Sequence, residues 1–340
     1  MRNPLQPSHP PPPPSAQLTR TMSGITSFGS IVDIVNTANA TWVAGPVDRS
    51  VETFKSMCGT WLPGHPKYVK TDLPEYPVDE NAVFDDSLDW RTKAPQCTVI
   101  SKIRDQSACG SCWAFGSTET FEDRRCVSTG KDVEFSSMDT AGCCKGFACG
   151  MSNGCGGGQP TAALKWMGKT GIVTGGDFYD IGDGKSCKPY SLQPCAHHVP
   201  ATSKYPVCPS AEYSVKCDKS CSESTYSTSY ADDKVKEGKA ASCGSVASMM
   251  TALQKGPLSV AFTVYADFPT YKSGVYKHTT GAALGGHAVE VIGYGTDATA
   301  GDYWVVKNSW NEQWGNGGTF QIARGTNECG IEDSAAAIDF

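Results

Sequence analysis

The chain has 340 residues, 39% of them hydrophobic and 19% charged, with a formal net charge of −6 and 16 cysteines. That apolar content fills a sizeable core and excludes disorder over most of the chain, and no apolar run approaches the ~18–20 residues of a membrane span. The acidic balance, with no clustered Lys/Arg run, excludes nucleic acid and anionic membranes as partners, while about 5% cysteine asks for an oxidising compartment.

Residues 1–23 read as a disordered tail: seven of the 21 prolines fall in the first 14 positions, five of them consecutive at 10–14. Met1 and Arg2 are followed by no apolar stretch, so the start does not read as a secretory leader, and the expectation is a signal missing from this chain or replaced by a mispredicted start. Residues 24–79 carry short helical and turn patterns, with 33–35 and 51–54 as pieces. Pro63, Pro66, Pro74 and Pro77 then make an extended stretch suited to crossing a surface. From 80 to about 230 the chain is dense in Cys and Gly, and its clearest helix starts near Cys112 and runs to about 126. From 240 onward the pattern is β, with runs at 258–264, 287–292, 303–306 and 319–322 bounded by glycine. A helical, disulfide-rich half followed by a β half gives an α+β fold, with the cleft between the halves as the expected site.

The strongest local signal is Gln106-Ser-Ala-Cys109-Gly-Ser-Cys112-Trp113. Its Cys-x-x-Cys spacing admits a redox pair, half of a zinc site, or a nucleophile at a helix start, where free amides and the helix dipole favour a thiolate. A thiol nucleophile needs a base, and the base needs an orienting group. Gly285-Gly286-His287 places an imidazole at the head of a strand, and Asn308-Ser309-Trp310 ends the next one, 21 residues on. Asn308 is suited to accept a proton from one imidazole nitrogen, and Trp310 to cover that bond from water. Gln106 supplies a side-chain amide which, with the Cys112 backbone N–H, makes two oxyanion donors. Taken together, the three segments favour Cys112, His287, Asn308 and Gln106 as a catalytic set.

These motifs resemble the papain-like cysteine proteases, and more closely their cathepsin B branch. The resemblance covers about residues 28–338. It implies a papain-like two-domain α+β fold, helical left domain and β-barrel-like right domain, with an active-site cleft between them and an inhibitory prosegment over 24–79. The peptidase domain then spans 80–340. Cys112 and His287 stand 175 positions apart, beyond the usual ~130–150, and the excess resembles an occluding loop at 187–221. In that branch the paired histidines, here His197 and His198, bind a substrate's C-terminal carboxylate, and Asp105 holds His197 to keep the loop shut. A zinc site of Cys195, His197, His198 and Cys208 is the competing reading of the same residues.

Two positions depart from the branch. Lys204 and Gln313 stand where an Arg–Asp clasp is expected, which suggests a looser loop and more endopeptidase activity. Ser334 stands where a glutamate accepts a P2 arginine, which suggests preference for apolar P2 residues. Gly157, Gly158, Gly286 and Trp310 complete the expected substrate-binding set. The resemblance further implies six disulfides: Cys97–Cys126, Cys109–Cys155, Cys143–Cys217, Cys144–Cys149, Cys187–Cys221 and Cys195–Cys208. Cys112 stays free, Cys58 belongs to the prosegment, Cys329 matches an unpaired position, and Cys243 has no counterpart. Asn39-Ala-Thr41 is the one glycosylation sequon. The expected partners are protein and peptide substrates, the chain's own prosegment and cystatin-like inhibitors. The protein is expected to be a monomer with no cofactor or metal, lysosomal, vacuolar or secreted. The rival readings are a non-catalytic relative on the same scaffold and a disulfide oxidoreductase using Cys109 and Cys112.

Overall fold

In the computed structural model, which describes residues 28–209 and 214–340, the longer helices precede most of the strands. The tail expected at 1–23 lies outside the described residues. The helices are α1 (Phe28–Thr37), α2 (Val51–Met57), α3 (Trp90–Lys93), α4 (Cys112–Thr129), α5 (Ser137–Cys143), α6 (Pro160–Thr170), α7 (Tyr230–Asp233) and α8 (Val246–Leu253). The strands are β1 (Trp42–Ala44), β2 (Leu88–Asp89), β3 (Lys239–Cys243), β4 (Leu258–Tyr265), β5 (Tyr271–Tyr276), β6 (Ala283–Asp297), β7 (Gly301–Lys307), β8 (Thr319–Ala323) and β9 (Ala335–Asp339). They form one sheet ordered β1-β5-β8-β7-β6-β4-β9-β3, with β2 pairing β6 off this path.

Two cores result. Phe262, Phe268, Trp304, Trp314 and Phe320 fill the sheet side, while Trp113, Phe121, Phe135, Leu164 and Met167 fill the helical side. Burying each such phenylalanine contributes roughly 1.5–3 kcal/mol. Helix α4 lies between them, and every residue from Cys112 to Cys126 is buried. It approaches β6 closely at Gly116, where a Cβ would sit 3.2 Å from the Val289 backbone nitrogen and oxygen. Gly130, at φ +73°, ends the helix in a left-handed cap, three residues beyond the stretch expected from sequence.

Two expectations need correction. The β pattern from 240 onward hides α8, which begins where Ser245 and Ser248 exchange side-chain and backbone hydrogen bonds at 3.1 Å. His287 is the fifth residue of β6 rather than its head, because Ala283, Gly285 and Gly286 already pair with Tyr265, Val264 and Thr263 of β4.

The N-terminal segment extends the sheet: β1 runs antiparallel to β5, with Trp42 opposite Gly274. The Trp42 ring packs 5.1 Å from Tyr276 and 6.1 Å from Tyr271. Phe54 of α2 reaches Trp310 at 5.3 Å. Beyond Met57 the chain enters the groove between the two cores.

Candidate active site

Cys112 is the first residue of α4. Its neighbour Ser111 gives its hydroxyl to the Tyr190 hydroxyl at 2.9 Å and makes no side-chain cap. The amides and dipole of the helix start therefore remain available to a negative sulfur. Burial pushes the Cys112 thiol up. The charge and side chain of His287, the Thr60 hydroxyl and the Ala288 backbone N–H outweigh that, holding it below the ordinary thiol value. A thiol so placed is chemically suited to nucleophilic attack.

His287 is fully buried in β6, and its Nε2 meets Asn308 Oδ1 at 2.8 Å. An amide oxygen only accepts, so Nε2 donates and Nδ1 is left to exchange a proton with sulfur. The Asn308 oxygen also accepts from the Ser309 backbone N–H at 2.8 Å, which fixes its orientation. Trp310 lies 4.9 Å from the His287 ring and seals this bond from water.

Gln106 accepts the Ser309 hydroxyl at Oε1, 2.8 Å away. This turns its Nε2 toward the carbonyls of Cys109 at 2.7 Å and Met57 at 2.9 Å. The amide expected to serve a reacting oxygen is thus engaged by a carbonyl of the N-terminal segment.

That segment fills the groove at 58–62. The Gly158 backbone N–H donates to Gly59 and its carbonyl accepts from Trp61, at 2.8 and 3.0 Å. On the opposite wall Thr60 donates to the Gly286 carbonyl at 2.9 Å. The Thr60 hydroxyl rests 3.2 Å from Cys112 Sγ. Glycine is required on both walls: a Cβ on Gly286 would lie 2.2 Å from the Thr60 carbonyl, and one on Gly157 2.5 Å from the Trp61 indole nitrogen. Leu73–Tyr76 leaves the groove along the sheet edge, where the Ser242 N–H donates to Pro74 at 2.9 Å and Tyr76 to Ser242 at 2.7 Å.

Ser334 borders a cavity of about 470 Å³, with Ala261 and Cys243 beside it and Trp61 and Tyr68 of the N-terminal segment over it. Glu332 does not line it; its carboxylate is turned to Trp304, Gly325 and Asn327, accepting at 3.0, 2.7 and 2.9 Å. Asp333 borders the cavity too, with its Oδ1 accepting from Asn327 at 2.8 Å.

The six disulfides named above are present, and Cys58, Cys112, Cys243 and Cys329 are free. Cys109 is therefore committed to Cys155, which removes the redox-pair reading, and Cys195 to Cys208, which removes the zinc reading. Burial pushes the Cys243 thiol up to about 12. Among the described residues, the acidic triad Glu134, Asp177 and Asp180 surrounds Lys102 Nζ at 2.7, 3.2 and 3.3 Å, so an ammonium already fills it.

His197 Nε2 lies 3.3 Å from Asp105 Oδ1, and His198 Nδ1 lies 2.9 Å from His197 Nδ1. Both rings are buried. Arg49 of the N-terminal segment donates to the Ala196 carbonyl at 2.6 Å, tying that segment to the loop. The clasp expected to be weakened at Lys204 and Gln313 is rebuilt on a different residue. Lys204 Nζ reaches Glu312 Oε1 at 2.6 Å, and the Tyr205 hydroxyl donates to the other Glu312 oxygen at 2.5 Å. The turn causes the change: Asn311, at φ +58°, accepts from the Gln313 N–H and presents Glu312 to the loop. A charged clasp stands where sequence suggested a weakened one.

Sequence reasoning missed the roles of Met57, Arg49 and Glu312, whose contacts depend on carbonyl placement and a turn rather than on any motif. Thr60 had one signal, its place within Cys58-Gly-Thr-Trp.

The model of the papain family cysteine protease matches residues 84–338. Cathepsin B-like cysteine proteinase 5 of Caenorhabditis elegans is 44% identical over 317 residues, 91% of this chain and 89% of that protein. The gut-specific cysteine proteinase of the same organism is 41% identical over 313 residues, 91% of this chain and 89% of that one. Among solved structures, procathepsin B S9 from Trypanosoma congolense superposes with a TM-score of 0.70 at 29% identity, covering 91% of this chain and 96% of that one.

Proposed function

Because the chain belongs to the papain family of cysteine proteases, we propose that Cys112 is its nucleophile, His287 its base and acid, Asn308 the orienting group and Gln106 an oxyanion donor. One observation carries this reading: a thiol held below its ordinary value at a helix start, with His287 pinned to Asn308 at 2.8 Å. The Cys112 thiolate attacks a peptide carbonyl, whose oxygen takes its negative charge toward Gln106 Nε2 and the Cys112 N–H. His287 gives its proton to the departing amine. A water, deprotonated by His287, then hydrolyses the thioester and restores the thiol.

Residues 24–79 are the prosegment of a zymogen and 80–340 the peptidase domain. The prosegment blocks the site by putting the Thr60 hydroxyl on sulfur and the Met57 carbonyl on Gln106. Cleavage falls near 77–83, where Val83 is 96% exposed. The loop 187–221 gives peptidyl-dipeptidase activity beside endopeptidase activity, with His197 and His198 taking the terminal carboxylate once the prosegment leaves. Ser334 and Ala261 line a P2 pocket for apolar side chains, alongside Gly157, Gly158 and Gly286 on the groove walls. Six disulfides suit a lysosomal, vacuolar or secreted location, and the emptied groove suits cystatin-like inhibitors of a monomeric enzyme.

Incubating the full chain and its Cys112→Ser variant at acidic and neutral pH tests the reading. Processing and peptide hydrolysis are expected only in the unsubstituted chain at acidic pH; equal processing in both refutes self-activation through Cys112. Faster release of dipeptides from a free than from an amidated C-terminus is expected from the histidine loop.

A further inference from the structure

The proposed chemistry leaves unused a group of charged side chains sealed beneath Cys112 and His287. Glu119 and Asp123 lie further along α4 on the face that carries Cys112 and Gly116, spaced to meet the same neighbour. Opposite them stand Glu290 and Lys307, cross-strand partners in β6 and β7. Glu290 follows His287 by three residues, and Lys307 directly precedes Asn308. Lys307 Nζ lies 2.8 Å from Asp123 Oδ2 and 2.8 Å from Glu290 Oε2, and none of the three side chains is exposed. One ammonium therefore ties together the segments bearing Cys112, His287 and Asn308.

The charges do not balance. Glu119, Asp123 and Glu290 face the single Lys307. The other cation acting on the group, Arg104 in the segment before α4, is committed to Asp177 at 3.0 Å and Glu122 at 3.7 Å. Glu122 in turn accepts the Phe135 N–H at 2.7 Å. Glu119 Oε1, Asp123 Oδ1 and Glu290 Oε1 are buried without a hydrogen-bond partner. Such oxygens are costly on a carboxylate and much less so on a protonated carboxyl.

We propose that Glu119 and Glu290 are positioning residues that keep α4 and β6–β7 in register only while they carry protons, so that Cys112 and His287 stay opposed in acid and part toward neutral pH. This rests on the reading of Cys112 and His287 as the reacting pair. The electrostatics agree with the geometry. Burial pushes Glu119 up to about 7 against the opposing pull of Lys307 and Arg104. Burial, then the charge of Asp123, pushes Glu290 well above the carboxyl range. A glutamate raised from 4.5 holds an extra proton in the native state between about 4.5 and about 7. Its stabilisation is complete below that window and is lost as pH rises through it, by up to about tenfold in the folding constant per pH unit.

The test holds the full chain and its Glu119→Gln and Glu290→Gln variants at a series of pH values from acid to mildly alkaline. Each sample is returned to acid, allowed to process, and assayed, with its thermal midpoint recorded at the holding pH. The unsubstituted chain is expected to lose at least about tenfold of its recoverable activity across the neutral range. Glutamine imitates the protonated carboxyl, so both variants should keep their acid-pH kcat/KM and lose less than about threefold on the same excursion. Their thermal midpoints should vary less with pH. If one variant does not fold, the other carries the comparison. Inactivation and thermal profiles unchanged in the variants overturn the proposal, as does a folded variant with collapsed acid-pH kcat/KM. An unsubstituted chain without peptidase activity at any pH fails the catalytic reading instead, while the thermal profiles still judge the buried carboxyls.

Discussion

Replacing His198 by Asn removes a protonation that the docked prosegment opposes. The ring is 2% exposed, and its Nε2 is buried without a hydrogen-bond partner. Burial, followed by the charges of His197, Lys272 and the prosegment residue Arg49, pushes it down from 6.5 to about 2. Solvation of the loop after the prosegment leaves is expected to return the imidazole to its ordinary basicity. The docked state thus binds fewer protons than the released one, so docking is strongest above 6.5 and weakens as pH falls below it. Between about pH 6.5 and about pH 4.5 the loss is about 2.3 kcal/mol, or roughly fiftyfold in the docking equilibrium. The assay follows the appearance of processed chain at several pH values, each rate divided by peptide hydrolysis by processed enzyme at that pH. The unsubstituted chain should accelerate by up to about fiftyfold across the interval and His198→Asn by less than about tenfold. A variant that accelerates with the unsubstituted slope refutes the assignment of His198 as the acid-sensing group.

Other substitutions separate the remaining claims. Asn308→Ala should lower kcat/KM by about tenfold to a hundredfold with little change in KM, since it removes one buried hydrogen bond that aligns His287; steady-state kinetics read this directly. Ser334→Glu should raise the rate with P2 arginine relative to P2 phenylalanine, and paired dipeptide substrates measure the ratio. Lys204→Ala should cost less than about 1 kcal/mol, because its bond to Glu312 is solvent-exposed. The ratio of dipeptide release to internal cleavage should therefore move by only a few fold. Gly286→Ala should raise KM sharply, since its Cβ meets whatever backbone occupies the place of Thr60; unchanged KM contradicts the groove assignment.

The parts of the site legible in the sequence were those in which one short segment performs one task. Cys112 at a helix start, His287 beside two glycines and Asn308 before Trp310 each declare a local geometry that the fold then brings together. What stayed hidden depends on contacts between segments. Lys204 takes Glu312 rather than Gln313 because of the positive φ at Asn311, a backbone choice that residue types alone leave open. The Met57 carbonyl on Gln106 has no side-chain signature at all. Helix α8 is short and lies within an otherwise β-like region, where only its Ser245 cap marks the start. The Glu119, Asp123, Glu290 and Lys307 cluster comes from three elements and becomes visible only when α4 lies on the sheet.

The most direct measurement uses the four free thiols. After acid processing, the enzyme is treated with iodoacetate at mildly acidic pH, and the adducts are mapped while activity is followed. Prosegment Cys58 is then gone, and burial holds Cys243 and Cys329 well above the ordinary thiol range. The account predicts one carboxymethyl group, on Cys112, appearing in step with the loss of activity, and slower labelling after His287→Ala. Loss of activity with Cys112 unmodified, or hydrolysis by the Cys112→Ser chain, would contradict it.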